Sequence, residues 1–189
     1  HLLARRRAML PQHPVLPSDF SVDTLLRTTA PRRLPETLLP QVLAELDLSH
    51  LRQRPSHTLS GGESQRLLLA KAVLQLCAWH TPSTGQFLLL DEPSAALDVH
   101  HTLLLQNCLR QWRQRYGWGM VLSAHDISLA EHADVVVLMR QGRILAQGHP
   151  DEVVTAETLQ HAYGCTFAAY QHPQYGRVWQ AVNPIEPTS

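Results

Sequence analysis

Two adjacent carboxylates, Asp91 and Glu92, follow a continuous apolar run at residues 87–90. Such a run is typical of a strand buried on both faces of a parallel sheet, and open α/β sheets bind ligands at the carboxyl ends of their strands. Because side chains alternate along a strand, we expect the two carboxylates to do different work. One can reach a Mg²⁺ ion, directly or through water, since this hard cation takes oxygen ligands and shares the phosphates. The other can orient or deprotonate an attacking water molecule.

An anion site is predicted further upstream, where residues 59–63 read Leu-Ser-Gly-Gly-Glu and are followed by Gln65 and Arg66. Glycine lets the backbone approach a ligand closely, and a helix that begins there turns its amides and positive dipole end toward an anion. The Ser60 hydroxyl adds a donor. A plain serine cap would explain Ser-Gly-Gly alone, but the longer pattern Leu-Ser-Gly-Gly-Glu-x-Gln-Arg is too specific for chance. The anion site and the carboxylates form two halves of a nucleotide site.

Two further residues are candidates for this site. His125 follows an apolar strand predicted at 120–123, which sets it near the sheet ends beside Asp91 and Glu92. A histidine there can hydrogen-bond a γ-phosphate and hold the water and the carboxylate in register. Gln12 lies where a short strand meets a loop, and on its own it indicates nothing. An acidic strand end that merely caps a helix is the structural alternative, and the ordered succession of these residues disfavours it.

The elements that must position these residues form two groups. Apolar residues at helical spacing predict a helical unit with helices at 21–28, 35–48 and 60–76. Strands and helices then alternate at 87–90, 99–116, 120–123 and 130–134, followed by a hairpin at 135–146, a helical cap at 151–163 and a less regular tail. Alternation of this kind indicates an α/β layer with a parallel sheet. We therefore expect a helical subdomain at about 14–80, an α/β core at 81–148 and a C-terminal extension at 149–189.

Composition excludes several classes of protein. The 189 residues fit one domain, possibly with a subdomain, and 16 basic residues balance 16 acidic ones. We therefore expect no broad basic face and no nucleic-acid partner. The three cysteines lie far apart, which argues against a disulfide framework and a zinc ribbon, and the twelve histidines are scattered. No apolar run approaches the roughly 20 residues of a membrane span.

Taken in order, the residues from Gln12 to about Gly148 resemble the ATP-binding cassette (ABC) ATPase family, with a related-looking tail beyond. The resemblance implies a P-loop NTPase-like α/β core with a parallel sheet, plus a helical subdomain that carries the family's signature motif. It also implies ATPase activity with ATP and Mg²⁺ as cofactors. Two copies of the chain would sandwich two ATP molecules.

The resemblance also implies roles for single residues. Asp91 becomes the metal residue of the Walker B motif, Glu92 the catalytic base and His125 the switch histidine. Gln12 becomes the Q-loop glutamine, which contacts Mg²⁺ and the water and senses the membrane partner. The implied nucleotide contacts are the signature, which binds the γ-phosphate of ATP held by the opposite subunit, and the aspartate of the D-loop at 95–98: Leu59, Ser60, Gly61, Gly62, Glu63 and Asp98.

Two departures from the family pattern stand out. Glu63 occupies a position where the usual signature has Gln, a variation that leaves a polar side chain there. The 189 residues also contain neither the adenine-stacking aromatic nor a Gly-x-x-x-x-Gly-Lys-Ser/Thr loop, because the one lysine, Lys71, lies in Leu-Ala-Lys-Ala. Since the chain also opens on His1 instead of Met, we expect a fragment without the Walker A part of the domain, inactive on its own.

A finer resemblance is to importers of iron and cobalt chelates. Residues 7–13 are similar to the Q-loop of hemin-importer ATPases, and residues 73–91 and 148–155 to those and to vitamin B12-importer ATPases. This implies the ATP-binding subunit of a bacterial importer, peripheral on the cytoplasmic face of the inner membrane, with hemin as cargo and cobalamin or a ferric siderophore as alternatives. Its partners would be a second copy, a transmembrane permease dimer and, indirectly, a periplasmic substrate-binding protein.

Two other classes of function fit less well. A soluble ABC protein of DNA repair or translation usually carries tandem cassettes or long insertions, and neither occurs in this sequence. A degenerate, non-catalytic interaction module is supported by the missing phosphate loop, but Asp91, Glu92 and His125 argue against it.

Overall fold

The computed structural model describes residues 3–12, 19–29, 34–81, 85–173 and 176–184, and the chain forms two compact units, His1–Ala124 and His125–Ser189. The first unit contains helices α1 (Leu3–Arg6), α2 (Val22–Thr29), α3 (Leu38–Glu45), α4 (Gly61–Cys77) and α5 (Val99–Tyr116), and strands β1 (Arg7–Leu10), β2 (Phe87–Asp91) and β3 (Gly119–Ser123). Two short 3₁₀ turns, Ser49–Leu51 and Ser56–Thr58, connect α3 to α4.

The three strands of the first unit form a parallel sheet in the order β1-β2-β3. One face is buried: Leu88 and Leu90 are almost inaccessible, and α4 packs against β1 and β2. The other face leaves Phe87 51% and Val121 61% exposed. The prediction that the run at 87–90 is buried on both faces is therefore wrong among the described residues, although the strand itself and its parallel pairing are confirmed.

Helix α4 is the centre of the first unit's core. Ten of its residues are buried, and α2 and α3 pack against it. Helix α5 is tied to α3 by Glu45, whose carboxylate accepts hydrogen bonds from Trp112 Nε1 at 2.8 Å and Arg115 NH1 at 2.7 Å. Burial opposes ionisation of Glu45, but these donors outweigh it and lower the pKa of the carboxyl. These bonds hold α5 against α3, which in turn packs on α4.

The second unit contains α6 (Ile127–Ala130), α7 (Pro150–Val153), α8 (Ala156–Tyr163) and the antiparallel hairpins β4–β5 (Val136–Arg140, Arg143–Gly148) and β6–β7 (Cys165–His172, Gly176–Pro184). Two sequence predictions are wrong here. The expected irregular tail is the β6–β7 hairpin. The helix expected at 130–134 lies at Ile127–Ala130 instead, and residues 131–134 are outside it. It starts there because the Asp126 side chain caps it by accepting from the Ser128 amide at 2.9 Å.

No helix in the described parts of the chain is long and apolar enough to cross a membrane.

Candidate functional site

The carboxyl ends of the three parallel strands place several predicted residues at one edge of the sheet. Leu10 of β1 pairs with Leu90 of β2, and Asp91 pairs with Ser123 of β3. Gln12 is exposed two residues beyond the end of β1, so it lies at the same edge as Asp91. The structure thus places Gln12, Asp91 and Glu92 at the same edge of the sheet. The strand pattern predicted this place for the two carboxylates, whereas Gln12 alone had carried no such signal.

Ser123 joins the two carboxylate-bearing residues, and the sequence had given it no role. Its hydroxyl donates to Asp91 Oδ1 at 2.6 Å and accepts from the Glu92 amide at 3.0 Å. The only sequence signal was its place at the end of a strand next to β2. Asp91 and Glu92 are partly buried, whereas Ser123 and both of its bonds are exposed to water.

The backbone at Glu92 is strained. Its φ of 46° lies in the left-handed region, which costs a residue with a Cβ about 1–2 kcal/mol. Both neighbouring peptide groups are held: the amide by Ser123, and the carbonyl by the Ala95 amide at 3.2 Å and more weakly by Gln65 Nε2 at 3.5 Å. Strained residues of this kind persist where the surroundings fix them, and they cluster at functional sites.

The predicted anion site is the N-terminus of α4. Ser60 caps the helix: its Oγ accepts from the Glu63 amide at 3.3 Å, while Glu63 Oε2 accepts from the Ser60 amide at 2.7 Å. The hydrogen bond from the Ser60 backbone is the largest cause of the lowered pKa of Glu63. Arg54 NH1 lies 3.6 Å from Glu63 Oε1 and partly balances its charge. The first-turn amides of Gly61 and Gly62 are the donors that a helix cannot use internally.

The two glycines of this turn differ in their surroundings. A Cβ on Gly62 would lie 2.9 Å from the carbonyl oxygen of Ala96, whereas a Cβ on Gly61 would meet only the Ala96 Cβ at 3.9 Å. Gly62 therefore lets the backbone of the 95–98 segment lie directly on the start of α4. Close backbone packing by itself therefore requires a residue without a Cβ at this position.

We expect Gly62→Ala to destabilise the chain by about 1–3 kcal/mol, because the backbone carbonyl of Ala96 cannot move aside as a flexible side chain could. Gly61→Ala is the matched control; it should be neutral or slightly stabilising, since alanine favours helix over glycine and meets only an ordinary contact. Urea unfolding of both variants gives the comparison. Equal stability of the two variants would contradict the close contact between α4 and Ala96.

A chain of polar contacts connects the 95–98 segment to α4 by a second route. Asp98 caps α5, accepting from the His101 amide at 2.8 Å, a bond that lowers the pKa of Asp98, and from His101 Nδ1 at 2.9 Å. His101 Nε2 lies 3.3 Å from Asp47 Oδ2, and the buried Arg66 donates to the same oxygen at 3.2 Å. Arg66 belongs to the pattern that follows the signature, but the sequence gave no role to its side chain. In the structure this side chain binds Asp47.

The few oxygen ligands at the sheet edge suit a Mg²⁺ ion that is held mainly by substrate phosphates. Among the described residues, no group of three or more His, Cys, Asp or Glu side chains could hold a metal ion by itself. Asp91 offers a carboxylate at the sheet edge, and Mg²⁺ is commonly bound by one or two carboxylates together with substrate phosphates and water. His125 follows Ser123 by two residues and is the first residue of the second unit.

Comparison with known proteins identifies relatives of the whole arrangement. The family model described as ABC transporter matches residues 1–95. The hemin import ATP-binding protein HmuV of Hahella chejuensis is 38% identical over 177 residues, which cover 90% of this chain and 68% of the relative. HmuV of Jannaschia sp. is 40% identical over 177 residues, 90% of this chain and 64% of the relative.

A solved structure of the ATP binding subunit of an ABC transporter superposes with a TM-score of 0.65 at 26% identity, covering 79% of this chain and 61% of that one. The matched motifs, the parallel sheet and these relatives agree with one another. The chain belongs to the ABC transporter ATPase family.

Proposed function

We propose that this chain provides the catalytic carboxylates and the signature motif of the ATP-hydrolysing subunit of a bacterial hemin importer, which couples ATP hydrolysis to import. The observation that carries the hydrolytic part is the arrangement at the sheet edge, where Asp91 and Glu92 are joined through Ser123. The hemin part is supported by the names of the relatives, which are hemin import ATP-binding proteins. Cobalamin and ferric siderophores are the alternative cargoes.

The chain's own residues divide the chemistry among them. Asp91 and Gln12 would hold Mg²⁺, which would supply positive charge to neutralise that of the phosphates. Glu92 takes the proton of the attacking water, and His125 hydrogen-bonds the γ-phosphate and keeps the water and the carboxylate in register. The strained, fixed backbone of Glu92 supports this role because a general base must be held in one position.

The start of α4 acts on the nucleotide of a second copy. Leu59, Ser60, Gly61, Gly62 and Glu63, together with Asp98, contact the γ-phosphate of ATP held by the opposite subunit, so that two copies sandwich two ATP molecules. The packing of Gly62 on Ala96 supports this proposal, because it brings the start of α4 and the 95–98 segment into direct contact.

The remaining parts of the proposal concern assembly. The subunit is peripheral on the cytoplasmic face of the inner membrane and is bound to a transmembrane permease dimer. A periplasmic binding protein delivers the cargo to this permease. Within the chain, residues 14–80 form the helical subdomain, 81–148 the α/β core and 149–189 a C-terminal extension. Gln12, exposed at the sheet edge, is suited to relay the nucleotide state to the permease.

The test of cargo uses the loop-bearing form, defined as this chain preceded by a strand, a Gly-x-x-x-x-Gly-Lys-Ser/Thr loop and a helix of the ABC family. Vesicles that contain this form with its cognate permease are offered hemin, cobalamin or a ferric siderophore, each on its binding protein. We expect hemin to stimulate ATP hydrolysis and to be taken up. Stimulation by cobalamin or siderophore but not by hemin would overturn the hemin assignment and leave the ATPase assignment intact.

A further inference from the structure

We propose that Ser123 is a positioning residue for the reaction: its single hydroxyl fixes Asp91 and Glu92 relative to each other, so that the metal-binding and proton-accepting carboxylates stay in register. The inference rests on the proposed function, since it assumes the roles given above to Asp91 and Glu92.

The hydroxyl uses its hydrogen-bonding capacity in two directions. It has one proton to donate, which goes to Asp91 Oδ1 at 2.6 Å, and it accepts the Glu92 amide proton at 3.0 Å. The donated bond to Oδ1 fixes the orientation of the Asp91 carboxylate and leaves Oδ2 for a cation or a water molecule bound to it. Because the donor comes from a neighbouring strand, Asp91 is held by the sheet and not only by its own backbone.

The accepted bond acts on the strained residue. Glu92 leaves the strand with a φ of 46°, and without a partner for its amide the peptide group between Asp91 and Glu92 could rotate toward an unstrained conformation. Such a rotation would move both carboxylates at once. The Ala95 amide and Gln65 hold the carbonyl of Glu92, and Ser123 holds the amide on the other side.

The strand allows a matched set of substitutions. Ser123 is exposed at the end of β3, so threonine and valine fit there and differ from each other only by a hydroxyl in place of a methyl group. Val121, two residues earlier on the same face of β3 and 61% exposed, takes the control Val121→Thr.

The hydrogen bond is tested first in the 189-residue chain, by amide hydrogen exchange of ¹⁵N-labelled protein. We expect exchange at the Glu92 amide to be on the order of tenfold faster in Ser123→Val than in the parent, and close to parental in Ser123→Thr and Val121→Thr. Unchanged protection of Glu92 in Ser123→Val would overturn the proposal, because the amide would then not depend on the hydroxyl.

The role in the reaction is tested in the loop-bearing form. Ser123→Val should lower kcat by about 10- to 100-fold, raise the Mg²⁺ concentration for half-maximal activity, and leave the KM for ATP within about twofold. Ser123→Thr should restore most of the rate. If Ser123 only stabilised the fold, Ser123→Val would lower the melting temperature. We expect no such decrease, because valine favours a strand at least as well as serine does.

The outcomes separate the two proposals. Parental kcat and Mg²⁺ dependence in Ser123→Val, with an active parent, would overturn the role of Ser123 and leave the proposed function standing. A folded parental form without ATPase activity would overturn the proposed function and the role of Ser123 with it.

Discussion

Glu92→Gln lowers the ATP hydrolysis rate of the loop-bearing form by about 10²-fold or more and leaves ATP binding intact. Glutamine has the same shape as glutamate but cannot accept a proton from water, so only the general base is lost. The Glu92 amide and carbonyl bonds involve the backbone and survive the change. In the proposed sandwich of two copies, hydrolysis opens the dimer, so the variant should accumulate as an ATP-bound dimer, which size-exclusion chromatography with ATP detects.

The control is Glu157→Gln, an exposed carboxyl in the first turn of α8, which should hydrolyse ATP at the parental rate. Hydrolysis by Glu92→Gln at the parental rate would show that another group takes the proton.

Ser60→Arg abolishes hydrolysis in the loop-bearing form, while each monomer still binds nucleotide. The new side chain would lie at the exposed start of α4, the surface that the proposed dimer places against the γ-phosphate of the second copy's ATP. Loss of the serine cap by itself costs only about 1 kcal/mol, so the fold should remain, and circular dichroism verifies this. Fluorescent-nucleotide titration and phosphate release measure the two properties separately.

Mixed dimers show whether the signature acts on the partner's nucleotide. One subunit carries Ser60→Arg and the other lacks the lysine of its phosphate loop, so one of the two composite sites carries neither lesion. We expect part of the activity to return in the mixed dimer. The control is Gln53→Arg, which adds the same charge at an exposed position before the signature and should leave the activity near parental. Complete inactivity of the mixed dimer would count against action across the interface.

The regular elements around the site were predictable because local signals agreed. An apolar run predicted β2, and the capping residue Ser60 marked the start of α4. The cap of α5 at Asp98 was not predicted from the sequence, which assigned that residue only to the 95–98 segment. The β6–β7 hairpin was not predictable, because it is a two-stranded ribbon whose residues are mostly half-buried or exposed, so its sequence carries little period-two alternation.

The candidate residues could be predicted from motifs, but the contacts and backbone conformations that hold them in place could not. The contact of Ser123 with Asp91 depends on the register between β2 and β3, which tertiary packing sets. Glu92 adopts the left-handed conformation, which glutamate rarely does, so no residue propensity could predict it. Gly62 was expected to approach an anion, and its approach to the Ala96 carbonyl appears only in three dimensions.

The most direct measurement compares Mg²⁺-dependent ATP hydrolysis by the 189-residue chain and by the loop-bearing form. These 189 residues hold the carboxylates and the signature but no Gly-x-x-x-x-Gly-Lys-Ser/Thr loop, so most donors to the β- and γ-phosphates are missing. We expect negligible hydrolysis by the chain alone and robust hydrolysis by the loop-bearing form, lost when EDTA removes Mg²⁺. Robust hydrolysis by the 189-residue chain, or a folded loop-bearing form without any activity, would contradict the account.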